Sequence, residues 1–388
     1  DPIALPEREE DAKQTPALGR AVLALHPRHV ESQERLEMMA LQLGDDRTQV
    51  RAPRAMPFEV VRDFFFSHQN YFDELDRAAE SLAAQVRAQG ASLTDWLVRR
   101  LQGQHGVQVL MTADTLESKR HFDAAGRRLC LSSALHRSQQ AFQLGTQLAL
   151  LEAGEQIDML IDVPPFSADE ASRKLVRIGL ANYFAGALLL PYAEFLQAAE
   201  SLRYDIELLA QRFGVGFETV CHRLSTLQRQ GAPGVPFFFV RVDRAGNISK
   251  RQSATHFHFS RTGGTCPLWN VYEAFGQPER ILAQLARMPD GRRYLWIART
   301  VSQGQQGWGA PRRIFSIGLG CDVRHASRLV YAKGLDLSDP EAATPIGMGC
   351  KVCERERCPQ RAFPFIGKTL EVDENQSRFA PYGFAAAQ

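Results

Sequence analysis

Phe142-Gln-Leu-Gly-Thr146-Gln147-Leu-Ala-Leu150-Leu-Glu152 closes a helix that the sequence predicts over residues 137–152. Toward the N-terminus, Phe122-Asp-Ala-Ala-Gly-Arg-Arg-Leu-Cys-Leu131 reads as a hairpin turning at Ala124-Ala-Gly126. Before it come a helix over residues 93–102 and a short strand over residues 105–111. Toward the C-terminus, a polar loop with Pro164-Pro165 leads into a second helix over residues 168–190, which Pro191 ends. The order is helix, strand, hairpin, helix, helix.

This order resembles the ImmA/IrrE-type metallopeptidase fold, in which a hairpin precedes a helix bearing His-Glu-x-x-His. That chemistry needs two imidazoles at i and i+4 on one helical face, with a carboxylate beside the first as general base. The three positions are held by Thr146, Leu150 and Gln147. The later helix, with Ala181-Asn182-Tyr-Phe184-Ala185, matches the second signature of that fold, and Leu180 stands where its glutamate ligand would lie. Neither Leu nor Thr replaces a zinc ligand, so the resemblance implies a peptidase fold without the zinc chemistry.

Further along, Asp205 to Leu224 reads as helix, Gly-containing turn, helix. This is a passable helix-turn-helix, but its second helix opens Phe217-Glu218-Thr219, poor in groups that read base edges. The expectation is that the pair packs beneath the preceding domain. Cys221 is expected to be a core thiol. Gln228 to Pro236 reads as a linker, with two Pro and two Gly. Strands follow: a hairpin over residues 237–251, the alternating Thr255 to Arg261 with His256 and His258 on one face, and strands over 294–301 and 313–322. The expected architecture is α+β. A helical N-terminal region (residues 1–90, with an amphipathic Glu31–Leu43) leads into a degenerate metallopeptidase-like domain (91–230). A C-terminal mixed sheet domain with a cysteine metal site (231–388) follows.

The C-terminal region carries Cys350-Lys-Val-Cys353-Glu-Arg-Glu-Arg-Cys358-Pro359, three of the seven cysteines in nine positions. Clustered thiols on a charged, Gly-flanked loop point to a soft metal held by thiolates. The fourth ligand is Cys266 or Cys321. Cys266 is preferred, because Thr-Cys-Pro before Trp269 is a loop that can aim amides at sulfur, whereas Cys321 ends an apolar strand. The spacing C-x2-C-x4-C-P does not separate zinc from a [4Fe–4S] cluster.

A chain of 388 residues implies two or three domains, and 44% hydrophobic with 23% charged residues is an ordinary globular composition. A net charge of +2 argues against an extended nucleic-acid surface. No apolar run approaches the roughly 18 residues of a membrane span, and the thiol-rich loop suits a reducing cytoplasm. The chain begins with Asp rather than Met, which reads as a trimmed sequence.

Together, Phe142–Glu152, Ala181–Pro191, Phe237–Lys250, Gly263–Asn270, Gly320–His325, Ala343–Cys358 and Pro359–Pro364 resemble the short-chain fatty acyl transcriptional regulators of propionate and acetate metabolism. The resemblance implies an acyl-coenzyme A ligand and a cysteine-bound iron–sulfur cluster, with zinc as the alternative, at Cys266, Cys350, Cys353 and Cys358. It also implies no enzymatic activity, and promoter DNA read by an N-terminal Xre-type helix-turn-helix that this sequence lacks, in a homodimer. For the coenzyme phosphates, Arg241, Lys250 and Arg251 on one hairpin are the candidate cations. Phe64–Phe66 and Phe237–Phe239 are candidate walls of an apolar slot. The competing readings are a structural zinc ribbon that binds partners and, behind it, a metallopeptidase.

Overall fold

The structure is a computed structural model. It describes residues 56–113, 118–253, 266–303, 308–309, 312–347, 349–353, 355, 358–365, 370–377, 379 and 382–384. The helix expected over Glu31–Leu43 and the pair His256 and His258 lie outside the described residues. The chain divides into Asp1–Met56 and Pro57–Gln388, and every element below belongs to the second unit.

Three helices open it: α1 (Pro57–Ser67), α2 (Asp73–Ala88) and α3 (Leu93–His105). His105 is therefore the last residue of a helix rather than the first of a strand, because Gly106 adopts a left-handed conformation (φ 63°) that caps the helix there. A small sheet follows, with β1 (Gln108–Thr112), β2 (Arg120–Asp123) and β3 (Arg128–Ser132) in the order β1-β3-β2. Strand β1 runs parallel to β3, and β2 and β3 form the expected hairpin. Helix α4 (Arg137–Glu152) opens on a capping box between His136 and Gln139. After α5 (Gly154–Leu160), helix α6 (Glu170–Leu189) starts on the Asp169 carboxylate, which accepts from the Ser172 amide. Helices α4 and α6 pack through small residues. A Cβ on Gly145 would lie 3.3 Å from that of Ala185. One core runs through this layer, from Phe64, Phe65, Phe72 and Leu75 to Leu148, Leu180 and Phe184. Helices α1 and α2 are part of it.

Helices α7 (Tyr192–Ser201), α8 (Ile206–Phe213) and α9 (Phe217–Leu224) come next. Asp205 caps α8 and left-handed Gly214 ends it. The α8–α9 pair packs rather than presenting a recognition helix, and its core partner is the C-terminal sheet rather than the preceding domain. Leu209, Phe217, Val220 and Cys221 are buried with Phe237, Phe239, Leu295, Ile297 and Leu319. Among the described residues no single helix is long and apolar enough to cross a membrane, and the apolar pair α6–α7 bends by 62°.

The large sheet has six strands in the order β5-β4-β8-β7-β6-β9. They are β4 (Phe238–Val242), β5 (Ile248–Ser253), β6 (Leu282–Arg287), β7 (Arg293–Gln303), β8 (Arg313–Asp322) and β9 (Thr344–Pro345). All pairings are antiparallel except β6 with β9, so the sheet is mixed. A short helix, α10 (Asn270–Glu273), precedes β6, and a two-stranded ribbon, β10 (Leu370–Glu371) with β11 (Gly383–Phe384), follows β9. Period-two alternation gives the large sheet two covered faces. Phe237, Phe239, Ile317, Leu319 and Cys321 face α7–α9. Phe238, Val240, Trp296 and Tyr294 face the other way, toward Cys266, Trp269 and Ile346. Gly320 serves this second face, since a Cβ there would lie 2.2 Å from the Phe238 ring. Gly318-Leu-Gly320 is strand interior beneath aromatic rings, not a phosphate loop.

The expected linker is pinned at several points. Leu227 and Val235 are buried, and the Tyr192 hydroxyl donates to the Ala232 carbonyl at 2.9 Å.

Candidate functional site

A cavity of about 1400 Å³ lies between the helical layer and the large sheet. Phe58, Val61 and Phe65 of α1, and Leu175 and Ile178 of α6, give it an apolar wall. The opposite wall comes from α9 and the sheet, through His222, Arg223, Arg241, Lys250, Arg251 and Arg299. The three hairpin cations singled out in the sequence thus line the same space. Of the phenylalanine runs, Phe65 lines it, whereas Phe64 is core. Phe237, Phe238 and Phe239 are fully buried in the two sheet faces and form no slot, because strand parity sends them alternately into packed layers.

The cationic wall is electrostatically uneven. Arg241 donates to the Glu218 carboxylate at 3.0 Å and to the Ser249 hydroxyl at 2.9 Å, which fixes its direction. Burial lowers the Lys250 ammonium to about 8, with Glu218 opposing and Arg241 reinforcing the shift. Burial, then Lys250, Arg223 and Arg241, push His222 well below its ordinary value and keep the imidazole neutral.

Behind this wall lies a network that sequence reading missed. Asp76 of α2 is fully buried and accepts a two-pronged pair from Arg223, at 2.8 and 3.0 Å. The Tyr183 hydroxyl donates to the same carboxylate at 2.6 Å, and Arg229 reaches it at 3.3 Å. Arg229 also holds Glu80 at 2.9 Å and the Tyr71 hydroxyl at 2.8 Å. Burial and the neighbouring Asp76 charge raise the Tyr183 phenol well above its usual value. Arg223 and Tyr183 also line the cavity, so one network touches the cavity, α2, α6 and α9. The only sequence signal was a lone Asp among the apolar positions of α2.

The positions of the expected zinc ligands are packed, although Phe142, Gln143 and Asn182 beside them line the large cavity. Thr146 and Gln147 are buried, as is Leu180. The Thr146 hydroxyl donates to the Phe142 carbonyl at 2.8 Å and contacts the Asn182 side-chain oxygen at 3.2 Å. Leu150 packs on the core.

A second, small cavity is lined by Cys266, Cys350, Cys353 and Cys358, with Gly347, Arg355 and Arg361. Cys266 and Cys353 are buried; Cys350 and Cys358 are half-buried. Cys321 lies on the opposite face of the sheet, in the α7–α9 core. Burial pushes the Cys266 thiol up, while backbone N–H groups of Leu268 and Gly347 aimed at its sulfur pull it down. The Ala362 amide donates to the Cys350 sulfur at 3.4 Å. A Cβ on Gly347 would lie 2.6 Å from the Cys353 sulfur, so this position needs glycine. Among the described residues no three Cys, His, Asp or Glu side chains converge on one ligating point. The donor set, all sulfur with amides directed at it, suits zinc or an iron–sulfur cluster.

Comparison with known proteins bears on both cavities. Residues 102–225 match the family model described as the IrrE N-terminal-like domain, and residues 226–382 match that of the short-chain fatty acyl coenzyme A regulator, C-terminal. The chain is 52% identical over 370 residues to the HTH-type transcriptional regulator RamB of Mycobacterium tuberculosis, covering 95% of this chain and 78% of that protein. It is 48% identical over 375 residues to HTH-type transcriptional regulator PrpR of the same organism, covering 96% and 77%. A propionyl-CoA carboxylase regulator of Cereibacter sphaeroides is 46% identical over 371 residues, covering 96% and 78%. A solved structure of a Mycobacterium tuberculosis transcriptional regulator superposes with a TM-score of 0.78 at 50% identity, covering 84% of this chain and 99% of that one. These relatives are transcriptional regulators, not enzymes.

Proposed function

The chain belongs to the short-chain fatty acyl coenzyme A regulators, and from that premise we propose that it senses a short acyl-coenzyme A, propionyl- or acetyl-CoA, in the 1400 Å³ cavity. The polarity of that cavity carries the reading. Cations on the hairpin wall suit the phosphates of the coenzyme, and the apolar wall of α1 and α6 suits a short acyl chain. Arg241, Lys250 and Arg251 are the proposed phosphate contacts. A relative named as a propionyl-CoA carboxylase regulator supports the same ligand class.

Thermal shift and calorimetry with propionyl-CoA, acetyl-CoA, free coenzyme A and propionate test this reading. Binding of the coenzyme species and none of propionate is expected. Absence of any shift with the thioesters, together with no coenzyme species in mass spectra of gently denatured protein, would overturn it.

Cys266, Cys350, Cys353 and Cys358 are the proposed ligands of one centre, an iron–sulfur cluster or, in the second reading, structural zinc. The all-sulfur lining of one cavity supports either. Anaerobic preparation separates them, since a coloured protein with iron and sulfide differs from a colourless one with stoichiometric zinc. Output is proposed to reach promoter DNA through a helix-turn-helix in a cytoplasmic homodimer reading two half-sites. The division at residues 90 and 230 is proposed as one of sequence regions and not of packing, since α1–α2 share the core of the helices that follow and α7–α9 that of the large sheet.

A further inference from the structure

The cysteine cavity contains a charge that the ligand reading does not use. Arg361 is 3% exposed. Its guanidinium donates to the carbonyls of Cys350 at 3.0 Å, Phe363 at 3.3 Å and Cys353 at 2.9 Å, and also to that of Arg355. Two of those acceptors are the carbonyls of proposed ligands. The planar fork therefore gathers the carbonyls of Cys350, Cys353 and Arg355 around one point. Arg355 performs a complementary task, donating to the carbonyls of Arg287 at 2.6 Å and Ile346 at 3.2 Å. It ties the same loop to the end of β6. Both arginines line the cavity with the four thiols.

Burying a guanidinium costs several kcal/mol unless its hydrogen bonds are satisfied and negative charge lies near. The carbonyls meet both terminal nitrogens. A tetrathiolate centre, whether zinc or iron–sulfur, keeps a net negative charge and would supply the second requirement. We infer that Arg361 is the positioning residue of the cysteine site, bracing the Cys350–Cys353 backbone and setting a positive charge beside the thiolates. This rests on the reading of those cysteines as metal ligands. Groups in this position orient ligands without touching the metal, and their loss typically costs about 10- to 100-fold in metal affinity.

The test uses the full chain, reconstituted anaerobically with iron and sulfide and, separately, with zinc. Metal stoichiometry and the rate of release to a chelator are read for wild type, Arg361→Lys, Arg361→Met and Cys353→Ser. Arg361→Lys keeps the charge without the fork and is expected to hold stoichiometric metal but release it about 10-fold faster. Arg361→Met is expected to release it about 100-fold faster than wild type or to load incompletely, and where iron is bound its reduction potential moves negative. Because Arg361→Met also removes the hydrogen bonds to the loop carbonyls, Arg361→Lys with a wild-type circular dichroism spectrum is the deciding variant. Wild-type release rates in Arg361→Lys would overturn the inference while leaving the ligand reading standing. A wild-type chain that loads no more metal than Cys353→Ser would overturn both.

Discussion

Lys250, a phosphate contact in the proposed reading, lines the cavity in a wall that lowers its ammonium to about 8. That value lies below the ~10.4 of an unfolded lysine, so between them the unfolded chain holds the extra proton. The contribution of Lys250 to stability therefore rises with pH across this window, and its slope should vanish in Lys250→Met. Ligand affinity runs the opposite way. An anionic phosphate prefers the charged amine, so propionyl-CoA binding should weaken as pH rises past about 8. Calorimetry between neutral pH and mild alkali checks this, with Lys250→Arg holding its affinity and Lys250→Met weak throughout. The cysteines divide as clearly. Cys353→Ser should abolish metal loading and loosen the C-terminal region, leaving no peptidase activity to lose. Cys321→Ser should keep the metal but cost about 1–3 kcal/mol, because it buries a hydroxyl among Leu295, Ile317 and Leu319. Metal analysis beside urea midpoints separates the two variants. Strand parity puts Cys321 on one face with Ile317 and Leu319, but which face the cysteine loop covers was not readable. Nor was the Arg361 bracing, since its acceptors are carbonyls that no residue identity reveals.

At the scale of elements, the strands of the small sheet and helices α4 and α6 were legible because hairpin and proline signals bound them. Strand β6 was not. Leu282-Ala-Gln-Leu-Ala-Arg287 has no β-branched residue, and it is a strand because β7 pairs along its whole length. The helix pair α8–α9 could be seen as a pair, but its partner could not, because the apolar face of α9 suits any core. The junction of α2, α6 and α9 is set by Asp76 and Arg223, 147 residues apart, a contact no local pattern carries. Asp76→Ala would strand a buried guanidinium and should destabilise the fold by about 3–5 kcal/mol, seen as a lower urea midpoint. Since Arg223 also lines the cavity, the same variant should weaken propionyl-CoA binding, whereas Gln85→Ala on the exposed side of α2 should change neither.

Across Pro57–Gln388, the boundary between the two matched families falls inside a shared core. The models meet at residues 225 and 226, yet α7–α9 before that point bury Leu209, Phe217, Val220 and Leu224 against Phe237, Phe239, Leu295, Ile297, Ile317 and Leu319 beyond it. Cutting there would expose a contiguous apolar face on the large sheet, of the kind that drives association. A fragment of residues 226–388 should therefore aggregate on expression. One that starts at residue 190 keeps α7–α9 over that face and should stay monodisperse in size-exclusion chromatography. The second fragment loses Asp76 as the partner of Arg223, so its melting midpoint should lie below that of the whole chain. The longer fragment also keeps the cysteine cavity, whose lining lies entirely beyond residue 265, and should load metal as the intact chain does. It should not bind propionyl-CoA, because the apolar wall from α1 and α6 is gone. Metal loading without ligand binding would place the two sites in separable layers; loss of both would mean that the cysteine loop needs the helical layer to form.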